Sequence, residues 1–204
     1  MGRVAPGSVP DVDRWDITAL ILDDHNTFRR GFAALDALQG PPGEPEPAAL
    51  DAVWQPLADL LDVHAAAEEE IFYPRLLRAG ADGVGETVDA IGDHNDIRDA
   101  IRDAAGETVG TENWWAAVGR ARAANTEHMG EEEDEALADF RRHADPAQRS
   151  ALGRAFVEFK QHHRTADSVD TTDKDPQAYV AAQLPDRDPS LRIGNLRRPR
   201  ETTP

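Results

Sequence analysis

An all-α fold, an up-down-up-down four-helix bundle with an additional C-terminal helix and a flexible tail, is what this sequence predicts. Three observations carry that expectation. Apolar residues recur at intervals of three and four through four long segments. Stretches rich in Gly and Pro separate those segments. Ala, Leu, Asp, Glu and Arg abound, while the β-branched and aromatic residues that favour strands are sparse. At 204 residues the chain has room for one domain with a core and little for two.

Residues 1–15 form a flexible lead-in rich in Gly, Pro and Val. Asp16 can cap a first helix whose Leu20, Ile21, Phe28, Phe32, Leu35 and Leu38 recur at helical spacing. GPPGEPEP at 40–47 ends it. A second helix is expected over about 48–78, with Pro74 kinking or tightening its last turn. Gly80, Gly83 and Gly85 lead to a third over about 85–106, striped by Val88, Ile91, Ile97 and Ile101. Thr111 opens a fourth through to about 144, with Trp114 and Trp115 at its start expected to pack against a fifth helix. That fifth helix begins at Asp145-Pro146, an N-cap followed by proline at the first helical position, and runs to about His163. The helical domain is thus 16–164. The polar, Pro-punctuated segment 165–204 is expected to be largely disordered, and its basic LRIGNLRRPR to be a solvated tail.

A formal net charge of −17 argues against nucleic acid and against anionic membrane surfaces as partners. Cysteine is absent, which removes disulfides, thiolate metal sites and a cysteine nucleophile. The N-terminus lacks an apolar signal core, and no apolar run approaches a membrane span, so the expected location is cytoplasmic.

The chemistry lies in His25, His64, His94 and His128, one on each long helix, with Glu68 four residues after His64 and Glu132 four after His128. Positions i and i+4 share a helix face, so each His-x-x-x-Glu aims both side chains at one point. All six fall on the apolar stripe of their helix, as in Leu57, Leu61, His64, Glu68, Ile71. At 1.5 Å per residue, His25 about 14 residues before the first break and His64 about 16 after the second helix begins reach nearly the same level. Six buried donors in one layer demand compensation, because an unpaired buried carboxylate costs several kcal/mol. Two divalent cations would supply it. Imidazole and carboxylate without sulfur suit Fe, Mn or Zn. No Glu-x-x-His of the ferritin-like type and no His-Glu-x-x-His of a zinc protease occurs.

The order H…HxxxE…H…HxxxE, carried by LDDHNTFRRGF, LLDVHAAAEEEIFYP, IGDHNDIRDAI and HMGEEEDEAL, resembles the hemerythrin-like family, the HHE cation-binding domain, over roughly residues 16–144. The resemblance implies two non-haem iron ions, oxo- or hydroxo-bridged, handling dioxygen, hydrogen peroxide or nitric oxide. His25 and His64 would ligate one iron, His94 and His128 the other, and Glu68 and Glu132 would bridge them. The chain departs from the oxygen carriers in having Arg98 where their third helix bears a second histidine, and Glu132 at i+4 in place of an aspartate at i+5. The pattern is similar to bacterial relatives linked to peroxide breakdown, so a catalase-like activity is the leading expectation. A non-catalytic iron or oxygen sensor is the alternative, and any protein partner is left open.

Among the neighbours, Tyr73 reads first as core packing, with a donor role towards the centre as the alternative. Arg98 reads first as solvated or salt-bridged. Glu69, Glu131 and Glu133, about 100° round the helix from the proposed bridges, read as surface charge. Asp24 and Asp93 are expected to partner an imidazole of another helix. His143, His162 and His163 lie out of register and are expected to be exposed.

Overall fold

The structure, a computed structural model, describes residues 14–39 and 45–184. Among the described residues it is all helical, without a strand. Helix α1 is Ile17–Leu38, capped by Asp16, whose side chain accepts the Thr18 N–H. Helix α2 runs Pro47–Ala67, passes through a π-helical turn at Glu68–Phe72 and resumes as Tyr73–Ala79. Helix α3 is Gly83–Ala105. Helix α4 runs Glu112–Glu131 from a Thr111 cap, passes a second π-helical turn at Glu132–Ala136 and ends as Leu137–His143. Asp145 caps α5, Pro146–His162, by accepting the Gln148 N–H. Every start signal expected from the sequence therefore operates, because each cap satisfies an N–H that the helix itself leaves unpaired.

The apolar stripes meet in two clusters stacked along the bundle. One holds Phe28, Phe32, Leu57, Leu61, Ile97, Trp54, Trp114 and Val118; the other holds Ile17, Ile21, Phe72, Tyr73, Leu76, Ile91, Phe140 and Phe156. On α1 and α3 the motif histidine lies in sequence between the two, as in Ile21, His25, Phe28 and Ile91, His94, Ile97, and on α2 and α4 the motif pair straddles the boundary between them. A polar layer is thereby held between two dry ones. Helices α3 and α4 make the most extensive pair, and α5 packs on α1 and α2. The approach of α5 to α1 depends on a missing side chain: a Cβ at Gly153 would lie 1.7 Å from the Trp15 carbonyl oxygen.

Two expectations need correction. Trp114 does not pack against α5; it is fully buried edge-on against Trp54 of α2, ring centroids 6.0 Å apart. The segment after Thr165 is ordered as far as the structure describes it. After a short 3-10 turn at Ala166–Ser168 it crosses the bundle and forms α6, Pro176–Gln183, capped by Asp175 and packed on α3. Backbone groups paired with side chains of the bundle, such as Lys174 N–H with Asn95 Oδ1 at 3.0 Å, hold it where its own apolar content is too low to do so. Residues 1–13 of the expected lead-in, 40–44 of the first break and 185–204, including the basic stretch, lie outside the described residues. No described helix is long and apolar enough to cross a membrane.

Candidate metal centre

Both π-helical turns begin at the glutamate of a His-x-x-x-Glu pair. Each spreads one helical turn over an extra residue: the Tyr73 N–H reaches back five residues to Glu68 O, and the Leu137 N–H to Glu132 O. In α2 the local cause is Pro74, which brings no N–H to the ladder. The extra residue changes which side chains face inward after the motif, with consequences described below.

The structure brings all six motif residues together. His25, His64, Glu68 and Glu132 each place one ligand-type atom within 4.8 Å of the others, and Glu68, His94 and His128 form a second such group. Glu68 belongs to both. All six are buried, His25 and Glu68 completely. His25 Nε2 lies 3.2 Å from Glu132 Oε2 and His64 Nε2 lies 3.0 Å from Glu68 Oε1, yet none of these four buried atoms makes a hydrogen bond. They approach without the alignment a hydrogen bond needs, as atoms do when aimed at a common point between them. In the second group His94 Nε2 lies 3.4 Å from Glu68 Oε2 and 3.3 Å from His128 Nε2. Orphaned buried donors and acceptors are rare in folded proteins, and this donor set suits a metal cation.

Each imidazole has a carboxylate behind its Nδ1, hydrogen-bonded at His25, His64 and His94 and only nearby at His128. Glu133 meets His25 at 2.8 Å, Asp24 meets His64 at 2.9 Å, Glu69 meets His94 at 2.9 Å, and Asp93 stands 3.4 Å from His128. Such pairing sets the tautomer so that Nε2 faces the centre. The expected partnering with another helix's histidine is present for Asp24, whereas Asp93 stands opposite His128 without a hydrogen bond. Glu69 and Glu133, expected as surface charge, are instead part of this layer, and Glu69 is buried; Glu131 is exposed as expected. The π-helical turns begin one residue earlier and widen the helix there, so Glu69 and Glu133 do not lie 100° away from the centre. A sequence signal existed: the doublets Glu68-Glu69 and Glu132-Glu133 occupy the same place after both histidines.

Three of these carboxylates carry a cation in turn. Arg29 pairs with Glu133, Lys160 of α5 with Asp24, and Arg98 with Glu69 at 2.8 Å. Arg98 is therefore buried and salt-bridged. Tyr73 does more than pack: its buried hydroxyl donates to Glu132 Oε1 at 3.2 Å and Glu68 Oε2 at 3.4 Å. His143 and His162 are exposed and His163 partly so, away from the centre.

The field in this layer favours positive charge between the carboxylates. Burial opposes charge on His64, but Glu68 and Asp24 prevail and raise its pKa to about 10. His94 is raised too, burial again opposed by Glu68 and Glu69. Glu68, despite complete burial, is held well below the carboxylate range by His64 and His94, and Glu69 is lowered to about 2 by His94 and Arg98. Burial, then Glu132 and Glu68, push the Tyr73 phenol up, so it remains a donor. His128 and Glu132 also wall a narrow cavity whose other sides include Glu86, Asp89, Asp93 and Glu135.

A helical bundle with a buried layer of histidines and carboxylates facing one another defines a metal-binding class of protein. Consistent with this, the family model for the hemerythrin HHE cation binding domain matches residues 16–140, and the chain belongs to that family. Comparison with curated proteins and with solved structures gives no match.

Proposed function

We propose that this chain is a non-haem di-iron protein that binds or reacts with dioxygen, hydrogen peroxide or nitric oxide, and that peroxide breakdown is its main activity. The observation that carries the reading is the pair of ligand groups sharing Glu68, with four of their buried atoms lacking hydrogen bonds. His25 and His64 would hold one iron, His94 and His128 the other, with Glu68 and Glu132 as bridges. Glu68 already offers an oxygen to each group, and Tyr73 donates to an oxygen of both Glu68 and Glu132. We also read the four long helices as running up-down-up-down, since consecutive ones pack together across short connections.

Bound iron would supply the one-electron steps between ferrous and ferric states that turn two peroxide molecules into two waters and one dioxygen. The chain's residues supply the rest. Tyr73 keeps a proton beside both bridging carboxylates, where a reacting oxygen would need one. Glu133, Asp24, Glu69 and Asp93 hold the imidazoles in orientation. The acidic walls of the cavity at His128 repel anions and admit neutral molecules such as peroxide. The net reaction consumes no protons, so no external acid is required. Oxygen evolution from peroxide by iron-loaded protein tests the reading against Glu68→Ala; equal rates in the two would remove it.

The alternative, a non-catalytic iron or oxygen sensor, is favoured by one observation: the C-terminal segment docks directly on Glu69, the partner of His94. It predicts different protease patterns for the metal-free and iron-loaded chain, and identical patterns would exclude it.

A further inference from the structure

Residues 165–184 follow the part of the chain that the family match covers, yet they reach the second layer of the centre. Glu69 is a buried carboxylate with three cationic or imidazole partners: His94 Nδ1 at 2.9 Å and Arg98 at 2.8 Å on Oε1, and Lys174 Nζ at 2.5 Å on Oε2. Its backbone is held as well. The Tyr73 N–H is committed to Glu68 O and Pro74 has no N–H, and the Glu69 carbonyl accepts the Tyr179 hydroxyl. Two residues of one segment thus grip both ends of the residue that orients His94.

The segment has anchors that do not involve Glu69. Asn95 pairs with Lys174 through both backbone groups, donating to its carbonyl at 2.8 Å and accepting its N–H at 3.0 Å. Arg102 reaches Thr171 O and Asp173, the Ala166 N–H donates to Asp59, and Val180 is buried. Removing the Lys174 ammonium therefore leaves the segment a place to sit. Carboxylates that orient a ligating imidazole typically contribute 10- to 100-fold to metal affinity. A cation that helps place such a carboxylate acts on the same quantity.

We propose that residues 165–184 are a strap belonging to the metal centre: Lys174 and Tyr179 are positioning residues that set Glu69, and through it His94, so that strap docking and cation binding at Glu68, His94 and His128 strengthen each other. The proposal rests on the reading of those residues as ligands. By linkage the coupling is reciprocal: a strap that tightens the site must itself be tightened when the site fills. Lys160 of α5 pairs with Asp24 behind His64, so the first half has a cation of its own and the strap acts on the second through Glu69 and His94.

The test is an anaerobic titration of the full chain with Co²⁺, whose visible bands report its coordination, together with hydrogen exchange over 166–183. The wild type should bind two Co²⁺, with exchange in the strap slowed on loading. Lys174→Met should keep one binding event unchanged, weaken the other about 10- to 100-fold, and abolish the slowing; Lys174→Arg should restore both to within a few-fold. If Lys174→Met loses its helical signal, Tyr179→Phe carries the test, with an expected several-fold weakening of the same event. Two wild-type-like binding events and unchanged strap exchange in Lys174→Met or Tyr179→Phe would overturn this inference alone. A wild type that binds no Co²⁺ would overturn the reading of the centre and this inference with it.

Discussion

The two halves of the centre share Glu68 and little else. Around His25 and His64 the chain gathers two imidazoles and two carboxylates, and covers them with aromatic rings: Phe28 stands edge-on to His64 at 4.9 Å and Phe156 at 5.9 Å. Both carboxylates behind these imidazoles are paired with a cation, Arg29 or Lys160. Around His94 and His128 only one carboxylate joins the imidazoles. Glu69 there is held by two cations, whereas among the described residues no Lys or Arg pairs with Asp93. The cavity reaches the centre at His128 of this half and at Glu132 of the other. The first half thus has four donors and an aromatic cover, and the second has three donors, with His128 at the cavity. On the proposed reading the first half retains its iron and the second receives the small molecule.

The largest expected effect comes from the shared residue. Glu68→Ala removes an oxygen from both groups, so elemental analysis should fall from two cations per chain to none retained through desalting. A variant that keeps one would show that the halves are independent and that the sharing seen in the structure has no energetic meaning. Next is the cover of the first half. Gly153→Ala would force α5 away from the Trp15 carbonyl, moving the helix that carries Phe156 and Lys160. We expect a loss of about 1–3 kcal/mol in denaturant unfolding, the usual range for overpacking. An unchanged midpoint would show that α5 is not held tightly against α1.

The asymmetry was partly legible in the sequence. Helix starts were, because Asp16, Thr111 and Asp145 act locally. The six donors were as well, since an i, i+4 pair on an apolar stripe points inward whatever the helix packs against. What escaped were features set by non-local geometry or by a departure from regular helix. Glu69 and Glu133 were assigned outward on a 3.6-residue period that the π-helical turns break. Lys174 and Tyr179 sit in a polar segment with few apolar anchors, and only the tertiary structure reveals that Asn95, Arg102 and Asp59 supply the contacts its composition lacks. Trp114 differs for a related reason: the ring that meets it at the start of α4 is Trp54 of α2, a partner distant in sequence.

Replacing the carboxylates behind the imidazoles sharpens the comparison further. Asp24→Asn should weaken cation binding in the first half by about 10- to 100-fold, because His64 loses a charged partner that Lys160 holds in place. Asp93→Asn should weaken the second half by less, since Asp93 stands 3.4 Å from His128 and has no cation to fix it among the described residues. Competition with a metal-binding dye measures both. Equal losses would mean that the cations behind the carboxylates do not contribute.

The smallest effect expected concerns the acidic walls of the cavity on the open side. Burial, then the nearby carboxylates of Asp139, Asp82 and Glu135, raise the Glu86 pKa from 4.5 to about 7. A carboxyl raised in the folded state keeps a proton that the unfolded chain releases at lower pH. Folded protein therefore binds more protons between the two values, and stability declines as pH rises from about 4.5 to about 7, then stops declining once both states are ionised. Glu86→Gln has no proton to lose and escapes that decline. The difference in melting temperature, variant minus wild type, should be near its minimum at about pH 4, increase towards pH 7 and level off by about pH 8. Glu86 is half-buried, so solvent screening should limit the gain to a few degrees at most. A difference that does not vary with pH would mean that the walls do not crowd one another's charge, and the contrast between a covered half and an electrostatically selective opening would then rest on the cavity's shape alone.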